Sequence, residues 1–486
     1  MPLNKVKSLF KDNTLQAKIA KGVAWSFLGT MISKVMMILV FLLIARLITV
    51  EEYGEVGILR NAILTFSMIA LASFGITATR YIATYIEKDI NKTNKILTLT
   101  RVSVTVLSFL ISFLIYFFAN EISVYLLNNA NLKSYVEYLS ISILFTSLNG
   151  YQNGVLAGLE KFKEISYINI INGLTSFPIL LIGAYYWKVE GIIIALALTT
   201  FILWLSSFYY LNIALKKANL KSDFKFKKEF TSLIKFTLPS FIGGLMLTPT
   251  FFIINSMLAH QENGYIQLGI FSAAFFFATL SRTLIQILGQ VLYPYAMKEF
   301  GKDNKQFEYI NNILPWIVGI IINLPLIIFP EIFSMLFGEK YMNNDFYLSL
   351  IFIAMSNIII AHRQGISRNF AAANIMWWSV LSNMFWSLST ILFSYLLIEK
   401  GSIGLSLSLF LGYLSNSIIF IPFYLNKKLI AKEILYGKSI LMIWILIISF
   451  SSLYFLIDSY LHKALVLFIV LFIFLYFKNK KRSLNV

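Results

Sequence analysis

Four basic residues stand inside otherwise apolar stretches of the chain, where a charge is costly to bury. They are Lys34, Arg60, Arg101 and Arg282. Both residue types bind phosphate and carboxylate groups, arginine through a flat fork of donors and lysine as a point charge. The chemistry open to these residues is therefore recognition of an anion, if the surrounding segments hold them away from bulk water.

The composition indicates what those surrounding segments are. Of 486 residues, 58% are hydrophobic and 13% are charged, whereas soluble domains carry about 25% charged residues. A membrane-spanning helix needs about 20 mostly apolar residues, and fourteen such runs occur. We therefore predict an all-α integral membrane protein with about 14 transmembrane helices. The predicted spans are 23–47, 57–79, 97–119, 135–157, 165–187, 190–213, 231–256, 266–293, 310–329, 346–363, 372–397, 402–424, 437–457 and 461–477.

The distribution of lysine and arginine predicts how these spans are oriented. The chain has 41 Lys and Arg against 23 Asp and Glu, a net charge of +18. Both termini and the even-numbered connections hold 31 of the basic residues, including Arg363 and Arg368 after the tenth span, and the opposite side holds six. Cytoplasmic connections carry the excess of basic residues. We therefore expect both termini in the cytoplasm, and we attribute the net charge to membrane topology and not to nucleic-acid binding.

An internal repeat divides the predicted spans into two sets of six. Three short matches recur at nearly one offset, each at the same topological position. They pair Tyr53–Ile58 with Tyr265–Ile270 (offset 212), Gly154 with Gly365 (offset 211) and Glu190–Gly191 with Lys400–Gly401 (offset 210). An even number of helices per repeat gives both halves one orientation, as in transporters built from parallel repeats. We predict two parallel six-helix lobes around a central cavity, plus two C-terminal helices.

The repeat also sets the expected domain boundaries. A basic stretch joins the two halves, and no connection is long enough for a soluble catalytic domain. The expected segments are a cytoplasmic N-terminal segment (1–22), an N-terminal six-helix lobe (23–215), a cytoplasmic linker (216–230), a C-terminal six-helix lobe (231–426), two additional transmembrane helices (427–477) and a cytoplasmic tail (478–486).

Lys34 is deep in the first predicted span. It is eleven residues from the start of that span, a depth of about 16 Å. A cation at the bilayer centre costs roughly 2.5–3.5 kcal/mol on insertion scales, so such residues normally face a bundle interior or a watery cavity. Thr30 and Ser33 lie beside Lys34 at helical spacing. We expect the three side chains to line a cavity.

Polar side chains also accompany Arg282 on the eighth predicted span. Gln286 and Gln290 follow it at i+4 and i+8, so the three residues share one helix face. Asn383, in the eleventh span, either lines a cavity or bonds a neighbouring helix. Arg60 lies near the outer end of the second span, where a cation can also extend to the headgroups. A cavity position and an interface position therefore both stay open for Arg60.

No carboxylate lies deep in any predicted span. Glu121, Glu137 and Asp458 all lie near outer span boundaries. The deep cations therefore have no evident protein counterion, which indicates an anionic cargo, and phosphate suits arginine and lysine well. The chain has no cysteine and three widely separated histidines. We accordingly expect no disulfide, no metal site and no cofactor.

Two segments and the span count together resemble a known family. Glu52-Tyr53-Gly54 follows the first span, and Gly154-Val-Leu-Ala-Gly-Leu-Glu-Lys-Phe-Lys163 follows the fourth. With fourteen spans in two six-helix lobes plus a pair, residues 15–486 resemble polysaccharide flippases. These are the O-antigen and related transporters of the multidrug/oligosaccharidyl-lipid/polysaccharide (MOP) exporter superfamily.

This resemblance implies a function and a site. It implies that the protein flips an undecaprenyl-pyrophosphate-linked oligosaccharide across the cytoplasmic (inner) membrane by alternating access, for O-antigen or capsule biosynthesis. The related lipid II flippases carry cavity cations on helices 1, 2 and 8, the spans that hold Lys34, Arg60 and Arg282 here. The resemblance thus implies a transporter and not an enzyme. Its implied partners are the lipid-linked oligosaccharide, the bilayer, and the polysaccharide polymerase and chain-length machinery.

Three alternatives stay open at this point. The first is flipping of a lipid II-type peptidoglycan precursor. The second is multidrug export, although cation-coupled exporters of the superfamily commonly use membrane carboxylates, which the predicted spans lack. The third is a membrane polysaccharide polymerase or glycosyltransferase, which needs catalytic acids or a sizeable outer loop. The sugar and the coupling ion stay undetermined.

Overall fold

The computed structural model describes residues 15–225, 227–302, 304–373 and 375–453, and in these ranges the chain is helical apart from short connections. No β-strand occurs among those residues. The first twelve predicted spans fall on helices, the thirteenth, 437–457, does so as far as Leu453, and the rest of it and the last span, 461–477, lie outside the described residues. The prediction of an all-helical membrane protein with about 14 helices is confirmed.

The packing divides the chain into two compact units, Met1–Gly269 and Ile270–Val486. The first unit contains eight helices in its described part, as well as the start of a ninth. These are α1 (Leu15–Leu47), α2 (Val50–Leu71), α3 (Phe74–Tyr85), α4 (Ile90–Phe117), α5 (Lys133–Gly158), α6 (Phe162–Lys217), α7 (Lys227–Leu245), α8 (Thr248–Ala259) and α9 (Gly264–Glu299), with short helical turns at Ala119–Glu121, Ile122–Leu126 and Ala130–Leu132.

The second unit continues from α9. Its remaining described helices are α10 (Lys305–Ile328), α11 (Pro330–Phe337), α12 (Asn344–Ala372), α13 (Met376–Leu397), α14 (Gly401–Asn426), α15 (Lys432–Tyr436) and α16 (Lys438–Leu453), with short turns at Glu339–Tyr341 and Ile398–Lys400.

Many of these helices have the length and composition of membrane spans. Within the described residues, nine stretches are long and apolar enough to cross a bilayer. Two of them, Phe162–Lys217 and Trp377–Asn426, are long enough for two passages each at about 1.5 Å per residue. In the first, the backbone of Lys188 is non-helical, with φ 48° and ψ −126°. The chain is therefore a multi-pass membrane protein.

Two local signals set the limits of α2. At its start, the Thr49 hydroxyl accepts from the backbone N–H of Glu52, and the Glu52 carboxylate accepts from the backbone N–H of Thr49. This reciprocal arrangement is a capping box. At its end, Ala72 and Ser73 have φ of 44° and 60°, a left-handed conformation that interrupts a helix. The predicted span 57–79 is therefore two helices, and α2 begins seven residues earlier than expected.

Close backbone contacts through small residues hold the first unit together. Gly150, Gly154 and Gly158, spaced every four residues on α5, lie against α3, where a Cβ on Gly154 would be 2.2 Å from the carbonyl oxygen of Gly75. Small residues at this spacing let two helices approach closely. A similar contact joins α1 to α6, because a Cβ on Gly173 would be 2.6 Å from Cα of Ser33.

In the second unit, α12 packs against both α10 and α14, and α13 packs against α14. In the first unit, α5 packs in the same way against α4 and α6. Since α5 and α12 hold the fourth and tenth predicted spans, the neighbours agree with the internal repeat. The predicted lobe boundaries themselves stay a prediction, because α7 and α8 contact α2 here and group with the first unit.

The two copies of the repeated motif also touch each other. A Cβ on Gly54 would be 2.0 Å from the carbonyl oxygen of Tyr265, and a Cβ on Gly269 would be 1.9 Å from that of Val50. Any side chain at either glycine would therefore collide with backbone. The motif residues hold the beginnings of α2 and α9 together.

Candidate functional site

Lys34 and Arg60 lie on consecutive helices, α1 and α2, which a short turn joins. Lys34 lies thirteen residues before the end of α1, and Arg60 lies ten residues after the start of α2. Both are therefore about 15–20 Å along their helices from the turn. The early start of α2 puts Arg60 well inside its helix, not near the helix end as the predicted span had it.

The two cations interact with each other and with aromatic groups. The Arg60 guanidinium carbon lies 3.9 Å from the centroid of the Phe41 ring, a cation–π contact. The charges of Lys34 and Arg60 are near enough to repel, and the buried Tyr53 also interacts with Arg60. Arg60 is half-buried and Lys34 is exposed. The repulsion between two like charges raises the free energy of the protein, and an anion that binds to both of them removes this cost.

The described residues supply no carboxylate to this pair. Neither Lys34 nor Arg60 has an Asp or Glu oxygen within 4.0 Å in the part of the chain that the structure covers. The glutamates at the start of α2 are engaged elsewhere: Glu52 pairs with Lys188 at 3.3 Å, and Glu55 accepts from the Asn129 amide at 3.3 Å. Two partly open cations without an acid are suited to bind a group that carries more than one negative charge.

Lys34 is exposed on the side of α1 opposite to its apolar exposed stripe. At 100° per residue, its side chain is about 140° from the centre of that stripe. Thr30 is half-buried on the same side as Lys34, whereas Ser33 lies at the contact with Gly173 of α6. Ser33 therefore contributes to helix packing. The exposed stripe consists of Leu28, Ile32, Val35, Leu39 and Leu43, whereas the exposed Phe27 lies on the Lys34 side.

Arg282, in the second unit, is held by neutral amides. Its Nε donates to Oδ1 of Asn357 on α12 at 2.9 Å, and Nδ2 of Asn357 donates to Oδ1 of Asn323 on α10 at 3.1 Å. Nδ2 of Asn323 in turn donates to Oγ of Ser281, beside Arg282, at 2.7 Å. The Phe275 ring centroid lies 5.0 Å from the guanidinium carbon. These hydrogen bonds to amides orient the guanidinium of Arg282.

The remaining predicted cavity residues divide among different locations. Gln286 is exposed on α9, and Asn383 is half-buried on α13. The side chain of Gln290 lies outside the described part of the structure. The structure thus brings Lys34 and Arg60 together in the first unit, and it places Arg282 with Asn357 in the second.

Two arginines that the sequence tally assigned to a cytoplasmic connection lie inside a helix. Arg363 and Arg368 belong to α12, which continues to Ala372, nine residues past the end of the predicted span, and their cytoplasmic location stays a prediction. Nη2 of Arg363 donates to the Tyr424 hydroxyl at 2.7 Å, and Nε of Arg368 donates to Oδ1 of Asn311 at 2.7 Å. The sequence did contain a signal for these arginines. Asparagines within apolar spans indicate that polar side chains bond one another in the interior.

The two histidines in the described residues contact backbone carbonyl oxygens. His362 is buried, its ring stacks on Trp316 with centroids 4.5 Å apart, and its Nε2 is 3.3 Å from the carbonyl oxygen of Ile434. Nδ1 of His260 is 2.7 Å from the carbonyl oxygen of Ser256. Over the described ranges, no three His, Cys, Asp or Glu side chains group as metal ligands do.

Comparison with known families gives this arrangement its context. Residues 19–300 match the model of a family described as polysaccharide biosynthesis protein. This match covers more than half of the chain. The chain belongs to this family. The resemblance to MOP-superfamily polysaccharide transporters that the sequence predicted is thereby confirmed at the level of the family.

Similar proteins extend the comparison over the whole chain. An uncharacterized membrane protein of Methanocaldococcus jannaschii is 24% identical over 490 residues, which cover 93% of this chain and 92% of that protein. The lipid II flippase MurJ, in an inward closed conformation, has a TM-score of 0.71 at 16% identity, covering 95% of this chain and 99% of that one. An inward-facing multidrug resistance MATE family transporter of the MOP superfamily has a TM-score of 0.67 at 15% identity, covering 83% and 94%. The chain therefore shares the fold of these two transporters.

Proposed function

We propose that this protein flips an undecaprenyl-pyrophosphate-linked oligosaccharide across the cytoplasmic membrane by alternating access, for surface polysaccharide biosynthesis such as O-antigen or capsule. The observation that carries the proposal is the Lys34–Arg60 pair, two cations in spanning helices whose charges repel each other and which have no carboxylate oxygen within 4.0 Å among the described residues. A diphosphate is the natural complement, because it offers several acceptor oxygens and more than one negative charge to a lysine and a guanidinium.

Each part of the substrate has a candidate partner. The diphosphate headgroup pairs with Lys34 and Arg60 in the first unit, and Arg282 offers a further oriented cation in the second. Thr30, with its hydroxyl on the Lys34 side of α1, serves the sugars. The polyprenyl tail stays in the apolar environment of the bilayer, which the exposed stripe of α1 also contacts. No covalent bond changes in this cycle, so the protein acts as a transporter and not as an enzyme.

The proposed location follows from the substrate and the charge distribution. The excess of basic residues supports a cytoplasmic position for both termini, and the proposed lipid-linked oligosaccharide is made at the cytoplasmic face of the inner membrane. A polymerase and chain-length machinery on the opposite face would consume the flipped units, and these proteins are the expected partners.

A lipid II-type precursor is the second candidate. The fold likeness to the lipid II flippase MurJ favours it, and the diphosphate chemistry would be the same. Multidrug export is less well supported despite the likeness to a MATE transporter, because cations without acids at Lys34 and Arg60 favour anionic over cationic cargo.

Reconstituted proteoliposomes test the proposed function. Vesicles are loaded separately with a diphosphate-linked oligosaccharide lipid, with lipid II, or with a cationic dye, and transfer across the bilayer is followed with protein-free vesicles as the control. We expect protein-dependent transfer of the oligosaccharide lipid that is faster than that of lipid II and no transport of the dye. Faster transfer of lipid II would assign the second candidate function, and dye transport alone would overturn the proposal.

A further inference from the structure

The linker after α6 leaves that helix in a fixed direction. Asn219 has φ 53°, the left-handed conformation with which many helices end. Its backbone N–H donates to the carbonyl oxygen of Lys216 at 3.2 Å, and that of Leu220 donates to the carbonyl oxygen of Leu215 at 3.0 Å. The Leu220 side chain is 8% exposed and belongs to the apolar core of the first unit. The start of the linker is therefore part of the folded unit.

The next linker residues are bonded to α4. The backbone N–H of Lys221 donates to Oδ1 of Asn94 at 2.9 Å, and the backbone N–H of Asp223 donates to Oγ1 of Thr98 at 2.8 Å. Asn94 and Thr98 are one helical turn apart and share a face of α4. The predicted third span, 97–119, begins between them. The bonds therefore hold the linker where α4 enters the membrane, at the level of the lipid headgroups.

The linker exposes a cluster of basic side chains. Its exposed lysines, four within ten residues, are Lys216, Lys217, Lys221 and Lys225. The one acid among residues 216–225 is Asp223, whose Oδ1 accepts from the backbone N–H of Lys225 at 2.9 Å. Phe224, between two of these charged residues, is 67% exposed. Lysines with an aromatic side chain are typical of a protein surface that meets lipid headgroups.

Membrane topology alone does not account for this arrangement. The positive-inside rule requires that the lysines lie on the cytoplasmic side, and a linker without fixed structure would meet that requirement. It does not require that Leu220 be buried in the core, or that two side chains of α4 bond the linker backbone. These contacts keep the four lysines together at the headgroup level, where each basic residue adds to the attraction of anionic lipids.

We propose that residues 216–225 form a docking surface for the headgroups of anionic phospholipids in the cytoplasmic leaflet. The bound lipids hold the junction between the two sets of six predicted spans at the membrane surface. This inference does not rest on the proposed function, because the occupant is a lipid of the surrounding bilayer and not the transported cargo.

Native mass spectrometry of the purified full-length protein in a non-ionic detergent tests the surface, with phosphatidylglycerol or phosphatidylcholine as the added lipid. The lysine variant is Lys216→Gln/Lys217→Gln/Lys221→Gln/Lys225→Gln. We expect its apparent affinity for phosphatidylglycerol to be about tenfold lower than that of the parent, with phosphatidylcholine binding unchanged. Unchanged phosphatidylglycerol affinity in the lysine variant would overturn the proposal.

A control variant removes the same charge from scattered positions. It replaces exposed lysines on the opposite predicted side, each with a glutamate within four residues in the sequence: Lys133→Gln/Lys188→Gln/Lys340→Gln/Lys400→Gln. We expect its phosphatidylglycerol affinity to change by less than about twofold, because no cluster is lost. An equal loss in the lysine and control variants would show that net charge alone attracts the lipid, and it would overturn the docking surface.

A third variant separates the fold of the linker from its charge. Asn94→Leu/Thr98→Val removes both acceptors on α4 and keeps every lysine. We expect phosphatidylglycerol affinity about threefold below that of the parent, since the lysines are no longer held at one level. Parental affinity in a folded Asn94→Leu/Thr98→Val protein would contradict the fixed surface. If this variant folds poorly, the lysine and control variants decide the outcome.

Lys34→Gln/Arg60→Gln distinguishes the docking surface from the proposed transport site. This double variant keeps the linker, so we expect parental phosphatidylglycerol affinity. Loss of phosphatidylglycerol binding in the double variant, with parental binding in the lysine variant, would place the lipid at the Lys34–Arg60 pair. That result would overturn the docking surface and leave the proposed function intact.

Discussion

The basic residues inside the spanning helices have different surroundings in the two units. In the first unit, the charges of Lys34 and Arg60 repel each other, and the Arg60 guanidinium lies over the ring of Phe41. In the second unit, Arg282 is fixed by a chain of amides that runs from Asn357 to Asn323. Both arrangements put a basic side chain in a membrane-spanning helix. Only in the second do hydrogen bonds among the described residues fix the orientation of the guanidinium.

This difference indicates two roles in handling an anion. A pair of like charges gains most when a ligand arrives, since the ligand relieves their repulsion as well as forming its own bonds. An amide-oriented guanidinium is preorganised, so it loses little freedom on binding. We expect the first unit to determine whether an anionic headgroup binds and the second to determine how it is positioned. The predictions that follow separate these roles.

Charge reversal at Lys34 should have the largest effect. Lys34→Glu places a carboxylate beside Arg60, so the protein neutralises its own cation and no longer needs the ligand. We expect flipping to fall by about 100-fold or more, while the melting temperature stays equal or rises, because the repulsion is replaced by an ion pair. Flipping in proteoliposomes and thermal unfolding measure the two effects. A folded Lys34→Glu protein with normal transport would remove the pair from the mechanism.

The matching change in the second unit is Asn357→Asp. It puts a carboxylate where the Arg282 Nε now bonds a neutral amide, without changing the size of the side chain. We expect flipping to fall by about tenfold with stability retained, since the guanidinium stays oriented but loses its net charge. Asn357→Leu, which removes the acceptor, should destabilise the fold by about 1–3 kcal/mol as well. Equal effects of Asn357→Asp and Lys34→Glu would contradict the division of roles.

Removing the aromatic ring beside each cation should have a smaller and unequal effect. Phe41→Leu removes the ring under Arg60, and a cation–π contact of this kind is worth about 0.5–2 kcal/mol. We expect the flipping rate to fall about three- to tenfold, which corresponds to a loss within that range of free energy. Phe275→Leu, next to Arg282, should cost about twofold or less because Asn357 still orients the guanidinium. A larger loss of flipping in Phe275→Leu than in Phe41→Leu would show that the hydrogen bond to Asn357 does not keep Arg282 oriented.

The smallest expected effect separates two neighbours on α1. Thr30→Val removes a hydroxyl on the Lys34 side and should lower the apparent affinity for the sugar-bearing substrate by about two- to threefold, near the worth of one neutral hydrogen bond. Ser33→Ala, at the contact with α6, should leave transport unchanged. Substrate-concentration dependence of flipping measures both. A greater effect of Ser33→Ala would place the substrate on the other side of the helix.

The sequence predicted the helices well because a membrane demands long apolar runs, and such runs are local. The sequence predicted the ends of these helices less well. The capping box at Thr49 and Glu52 extends α2 outwards, so Arg60 is deeper than the hydrophobic run implied. In the same way, α12 continues past the apolar stretch through Arg363 and Arg368, because buried asparagines and a tyrosine bond these charges.

The site was only partly within reach of sequence reasoning. Lys34, Arg60 and Arg282 stood out as charges in apolar runs, and helical spacing put Thr30 near Lys34. The electrostatic interaction between Lys34 and Arg60 joins residues of two different helices, and the bond from Arg282 to Asn357 joins residues 75 positions apart. Spacing along one helix carries no information on such partners. The same limit explains Ser33, whose position is set by close packing on Gly173 of another helix.

The central claim is that the Lys34–Arg60 pair binds the diphosphate of the transported lipid, and flipping by Lys34→Gln/Arg60→Gln tests it most directly. The double variant is compared with the parent and with Arg101→Gln, an exposed arginine whose Nη2 bonds the Ser222 hydroxyl at 3.1 Å. We expect the double variant to fold, to reconstitute normally and to flip the diphosphate-linked oligosaccharide lipid about 100-fold more slowly or not at all, while Arg101→Gln retains the parental rate. A parental flipping rate in the double variant would contradict the claim.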